Sequence, residues 1–193
     1  MRLSLEKKAI RVMGVAESFK KGLNQDALLV GVVMRSDLVV DGIVLGRCKV
    51  GGMDATDSII KMYHKLERTD ISAMILNGCI ISWFNVIDLK RMYKEINIPL
   101  VCLTYHPSAG IRDYFIKYFP EDWIERVRVY EENGPRIEVV NKNRFKIYLR
   151  VIGVDVETAL NLINKYTLFG KIPEPLRLAR LIAHSVFQHG YTS

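Results

Sequence analysis

The sequence predicts an α/β fold in which a mixed sheet is flanked by helices, and three observations carry this expectation. Strand-length apolar segments, Ile71 to Leu76 and Leu100 to Thr104, are separated by stretches of helical period, giving a β–α–β–α–β order. Helical crossovers between consecutive strands demand parallel pairing with right-handed connections. Ahead of them, Leu38 to Leu45 follows Ala27 to Met34 after only Arg35-Ser36-Asp37, the spacing of an antiparallel hairpin.

Taken in order, Ala9 to Val15 reads as the first strand and the hairpin supplies the next two. From Asp54 the period changes: Ile59, Met62, Tyr63 and Leu66 recur at helical spacing with Lys61, Lys65 and Glu67 between them, and Asp54 or Thr56 is placed to cap the helix. Val86 to Ile96 reads as the second helix, and Ile111 to Trp123 as a third, broken at Pro120. Val127-Arg128-Val129, Ile137-Glu138-Val139 and Ile147 to Val151 alternate as strands do, with Asn133-Gly134 as the turn after the first of them. Val156 to Tyr166 and Pro175 to Phe187 close the chain as helices, the latter with proline in its first turn, where a missing N–H matters least. No repeat or linker interrupts the 193 residues, a length that fits a single domain over 1–193.

Hydrophobic residues at 49% and charged residues at 25% exclude a disordered, collagenous or coiled-coil chain. The formal charge of +7, from 28 basic and 21 acidic residues, favours a polyanionic partner. Cys48, Cys79 and Cys102 form no CxxC pair, which argues against a zinc knuckle or a disulfide framework. Met1 to Ile10 carries Arg2, Glu6, Lys7 and Lys8 and lacks the apolar core of a signal peptide, while the best apolar run is interrupted by Asn77-Gly78. A soluble cytoplasmic protein with no membrane association is the expectation.

Acids near predicted strand ends are the first candidates for chemistry. Glu17 follows the first strand, Asp54 and Asp57 share the first turn of a helix, and Asn77 ends the strand from Ile71. Three acids on neighbouring strand ends would suit Mg²⁺, a cation that takes hard oxygen ligands, but the third position here is an amide. Asp54 and Asp57 are also explained by the favourable interaction of acids with a helix amino terminus. Among basic residues, Arg177, Arg180 and His184 fall at i, i+3 and i+7 on the last helix, with Leu178, Ile182 and Val186 available for its buried side. Lys20-Lys21 lies just after Glu17, so phosphate-positioning cations would border a carboxylate.

Gly14-Val15-Ala16-Glu17-Ser18-Phe19, Val50 to Asp57, Leu76-Asn77-Gly78, Phe84 to Asp88 and Gly170 to Arg177 together resemble the archaeal family called domain of unknown function 99, distant relatives of endonuclease V. The resemblance extends over nearly the whole chain and implies a ribonuclease H-like mixed sheet, with acids from strand one, the following helix and a later strand binding divalent metal. The family pattern is Gly-Ile-Asp-Asp, Asp-Ala-Thr-Glu and Leu-Asp-Gly. Here Ala16 stands at the first acidic position and Asn77 at the third, Asp57 is one methylene shorter than Glu, and Arg180 stands where the family often has His.

These departures predict a nucleic-acid-associated protein of endonuclease V-like fold with weak or lost nuclease activity and weak or absent Mg²⁺ binding. Lys20, Lys21, Arg177 and Arg180 would contact the nucleic acid. The enzyme alternative is an Mg²⁺-dependent endonuclease on DNA or RNA that uses Glu17, Asp57 and Asn77 in catalysis and Glu17, Asp54 and Asp57 as metal ligands. A third reading is a non-catalytic protein-interaction module that presents Trp83, Phe84 or Trp123.

Overall fold

In the computed structural model, which describes residues 10–22, 25–108 and 110–189, the first three apolar segments form an antiparallel meander. Its strands are β1 (Arg11–Ser18), β2 (Asp26–Arg35) and β3 (Val40–Lys49). The predicted first strand began at Ala9, which lies outside the described residues. Helix α1 (Ala55–Lys65) then crosses to β4 (Ile71–Leu76), and α2 (Leu89–Ile96) crosses to β7 (Leu100–Thr104). Between β4 and α2 lies a two-stranded ribbon of β5 (Ile80–Ile81) and β6 (Asn85–Val86). After α3 (Arg112–Tyr118) and α4 (Trp123–Glu132) come β8 (Ile137–Val140), β9 (Lys146–Ile152), α5 (Val156–Tyr166) and α6 (Glu174–His189).

The main sheet has the order β3-β2-β1-β4-β7-β9-β8, with β1, β4 and β7 parallel and the outer pairs antiparallel. This is the mixed sheet flanked by helices that the sequence predicts. Both faces are covered. Helices α1 and α2 pack with Met13, Val15, Met74 and Leu76 on one side, whereas α5 and the start of α6 pack with Val12, Ala73 and Ile75 on the other. Apart from Ser72 near its start, the central strand β4 is therefore apolar throughout and not alternating.

Three local expectations are corrected. Val127 to Val129 is helical within α4, and Asn133-Gly134 ends that helix and forms no hairpin turn. Three alternating residues fit a helix equally well when the buried positions are Arg126 and Val129, and Arg126 is buried because it is a hydrogen-bonding hub. The second helix begins at Leu89, where the Asp88 side chain accepts from the Arg91 N–H at 2.9 Å, since Asn85-Val86 is spent on the ribbon. Asp54 occupies the position before α1, but its carboxylate turns away from the helix. The Asn85 side chain accepts from the Ala55 N–H instead, at 3.1 Å, and the Thr56 hydroxyl accepts from the Asp88 N–H.

Helix α6 crosses β1 and β2 at very short range. The buried seam of this helix is Leu176, Ala179 and Ala183, while the predicted Leu178, Ile182 and Val186 are only half-buried. Small residues win this seam because the backbones approach closely: a Cβ on Gly14 of β1 would lie 2.6 Å from the Pro175 carbonyl carbon. Among the described residues, no helix is long and apolar enough to cross a membrane.

Candidate nucleic-acid interface

The carboxyl ends of β1 and β4 lie side by side, with Val15 paired to Leu76 and the Asn77 N–H donating to the Val15 carbonyl at 3.2 Å. Ala16, Glu17 and Asn77 therefore meet at one edge of the sheet and share the wall of a small cavity. Strand alternation then separates the first two. Ala16 is buried in a seam with Ala179 and Ala183 of α6. Glu17 is turned to accept hydrogen bonds from the N–H and hydroxyl of Ser82, at 3.1 and 3.4 Å. Burial pushes the Glu17 carboxyl up to about 7, against the opposing pull of the Ser82 hydrogen bonds and the Arg180 charge.

The other two candidate acids are engaged elsewhere. Both Asp54 oxygens accept from the Lys49 N–H, at 3.1 and 3.2 Å, and one also accepts from the Asn85 amide at 2.8 Å. This carboxylate fixes the β3–α1 connection. Asp57 projects from α1 and pairs with Arg91 of α2. Among the described residues, no three or more His, Cys, Asp and Glu side chains are grouped to hold a metal ion. Each candidate acid instead bonds a different protein partner: Glu17 with Ser82, Asp54 with Lys49 and Asn85, and Asp57 with Arg91.

Next to the β1 edge, a groove of about 440 Å³ is lined by Glu17, Arg177, Arg180 and His184, so the basic stripe and the carboxylate do face one space. Arg177 also pairs with Glu174 within α6. Lys20 is exposed, and the Lys21 ammonium lies 4.3 Å from the Trp83 ring centre and 5.0 Å from that of Tyr118.

Trp83 belongs to a surface that sequence reasoning saw only in part. Ser82, Trp83 and Phe84 all have left-handed backbone, with φ of 44°, 57° and 68°. The Phe84 ring lies 5.9 Å from each of the exposed Tyr114 and Tyr118 rings and is nearly parallel to both. Trp83, Phe84 and Trp123 are half-buried and not fully exposed, Phe84 and Trp123 against the Phe115 and Val129 cluster and Trp83 against the Tyr118 and Phe119 rings. The available signal was Tyr114 and Tyr118 four residues apart with Lys117 between them. Arg126 holds this surface from beneath, donating to the carbonyls of Gly51, Gly52 and Phe84 at 2.8 to 3.0 Å.

Comparison with known proteins agrees with this architecture. A UPF0215 protein from Pyrobaculum calidifontis is 32% identical over 177 residues, spanning 92% of this chain and 97% of its own. Among solved structures, a protein of unknown function from Archaeoglobus fulgidus superposes with a TM-score of 0.77 at 25% identity, over 92% of this chain and 98% of that one. Endonuclease V from Ciona intestinalis, solved with DNA containing an inosine, gives a TM-score of 0.60 at 14% identity, over 94% of this chain and 87% of that one. The last likeness shows the ribonuclease H-like fold alone. Residues 8–187 match the family described as endonuclease dU, and the chain belongs to that family.

Proposed function

We propose that this protein binds nucleic acid along the groove between the β1 edge and α6, and that its phosphodiester cleavage is weak or lost. The observation that carries this reading is the divergence of Ala16 and Glu17. Ala16, at the family's first acidic position, packs into the seam with α6, whereas the Glu17 carboxylate borders the groove beside Arg180 but is engaged by Ser82, so it does not stand in for the missing acid. Two-metal cleavage needs anionic ligands that hold ions about 3.5 to 4 Å apart, and Ala16 and Asn77 supply none.

Support for nucleic acid comes from the cationic stripe of Arg177 and Arg180, from Lys20 and Lys21, and from the aromatic surface around Trp83 and Phe84. Phosphate contacts position a strand, and aromatic faces stack unpaired bases with little sequence preference. The family description and the inosine-containing DNA bound to a structural neighbour point to the same partner class. The test is binding of single- and double-stranded oligonucleotides across a salt series. A steep linear fall of log affinity with log salt is expected, and a flat response overturns the proposal in favour of a protein-interaction module.

A second reading, an active endonuclease on deaminated DNA or RNA, is favoured by the family description alone. Oligonucleotides carrying uracil or inosine, incubated with Mg²⁺ or Mn²⁺, separate the two. Cleavage that is abolished in Asp57→Ala would place the active enzyme first.

A further inference from the structure

Arg150 of β9 is buried, and no carboxylate pairs with it among the described residues. Its Nε donates to the Gly134 carbonyl at 2.7 Å, its guanidinium carbon lies 4.3 Å from the Tyr130 ring centre, and its Nη1 reaches to 2.8 Å from the Cys79 sulfur. A guanidinium keeps its charge in proteins, and a buried charge without an opposite one is costly. The Cys79 sulfur is the ionisable group within reach. Cys102 of β7 stands opposite Arg150 in the strand register and lies in the same buried cluster as Cys79. The hydrogen bond from Cys102 and the Arg150 charge hold the Cys79 thiol below its ordinary range, whereas burial pushes the Cys48 thiol up to about 12.

Cys79 is itself buried, and it borders a cavity that opens towards solvent. A cavity of about 450 Å³ at the carboxyl ends of β4 and β7 is lined by Cys79, Asn77, Thr104, Tyr130, Arg136 and Arg150. We propose that Cys79 is a nucleophilic thiolate site at the wall of this cavity, that it reacts with small hydroperoxides, and that Cys102 is its resolving thiol. The sulfur attacks the terminal peroxide oxygen, the O–O bond breaks, and a sulfenic acid forms while the departing hydroxide or alkoxide takes a proton to become water or an alcohol. The Cys102 sulfur then attacks the sulfenyl sulfur, its proton leaves with the hydroxyl as a second water, and the disulfide closes. Two electrons pass from the thiol pair to the peroxide. The cross-link ties the segment after Asn77 to β7 and removes the anion that faces Arg150. This proposal is independent of nucleic-acid binding.

The test treats the whole folded protein with stoichiometric hydrogen peroxide and maps its peptides by mass spectrometry. A Cys79–Cys102 disulfide is expected, with Cys48 left as thiol. In Cys102→Ser, dimedone should capture a sulfenic acid on Cys79 at least roughly tenfold faster than on Cys48, the contrast expected of a thiolate against a protonated thiol. Arg150→Met should slow capture by a similar factor and Arg150→Lys should restore part of it. Should either Arg150 variant fail to fold, the comparison of Cys79 with Cys48 in the Arg150-containing protein decides the matter. Oxidation of Cys79 no faster than Cys48, or only after denaturation, overturns the proposal.

Discussion

Gly14 and Pro175 are packed so closely that a Cβ on Gly14 would stand 2.7 Å from the Cβ of Pro175. This contact docks the first turn of α6 on β1, and it joins two segments that carry the family resemblance from opposite ends of the chain. Gly14→Ala cannot be absorbed by a flexible side chain, since backbone atoms of Pro175 and Leu176 are among the neighbours. The expected loss is about 2 kcal/mol or more by urea unfolding, as for overpacked cores. Because α6 bears Arg177 and Arg180, nucleic-acid affinity should fall with it. Full stability in Gly14→Ala would mean that α6 docks less tightly than described.

Arg126 should be among the most sensitive positions in the molecule. Its guanidinium bonds Gly51, Gly52, Phe84 and Asp122, and sits 3.8 Å from the Phe119 ring centre. Arg126→Met leaves the part-buried carbonyls of Gly51, Gly52 and Phe84 without this donor and should destabilise the fold by about 3 to 5 kcal/mol. A change under about 1 kcal/mol in chemical denaturation would show that water replaces the guanidinium there.

Removing Arg180 should weaken binding of nucleic acid more than removing Arg177, because Arg177 already shares its charge with Glu174. The double change to Ala should lower the salt slope by roughly one per lost phosphate contact, without altering sequence preference. Titrations of the two single variants at several salt concentrations check the order.

Glu17 gives a pH signature. Its carboxyl is raised from 4.5 to about 7 in the fold, so the native state holds this proton where the unfolded chain has lost it. Its contribution to stability is thus fully present below about 4.5 and declines as pH rises to about 7. Glu17→Gln keeps the acceptor for Ser82 and removes the titration. Relative to the parent, the variant should gain roughly 1 to 3 kcal/mol between pH 5 and 8, allowing for partial solvent screening of the carboxylate. A gap that stays constant across this range would show that the carboxyl titrates normally.

Restoring acids at both departed positions tests the reading of the site itself. Ala16→Asp with Asn77→Asp presses a carboxylate against Ala179 and Ala183, so the double variant should be less stable without metal. With a dissociation constant of about 1 mM, 10 mM Mg²⁺ would return about 1.4 kcal/mol by mass action. Melting curves at matched ionic strength should show that gain in the variant and little in the parent. An equal gain in both would favour the active-enzyme reading.

The sheet was legible because β4 and β7 are short apolar runs bounded by turn residues, and α5 has clear period and a capping Asp155 that accepts from the Thr158 N–H. Helix α4 was misread because Arg126, polar by composition, occupies a buried helical position. At the site, motif spacing located Glu17, Asp54, Asp57 and Asn77 but not what they touch. Asp57 meets an arginine 34 residues away, and Cys79 meets Arg150 across 71 residues. Such partners are set by strand order and helix docking, and no local pattern encodes them.

The left-handed run from Ser82 to Phe84 has a further consequence for the order in which the molecule assembles. Each such non-glycine residue costs about 1 kcal/mol or more, and the run is clamped by Glu17 from β1 at its start and by Arg126 from α4 at its end. Neither clamp exists until segments far apart in sequence have met. The Trp83 and Phe84 rings therefore take their places late, and the Ser82 amide should exchange its hydrogen by local opening well before the β1 and β4 amides do. A chain arrested partway through folding would have its sheet but not its aromatic face, so an ordered Trp83 and Phe84 report that folding is complete.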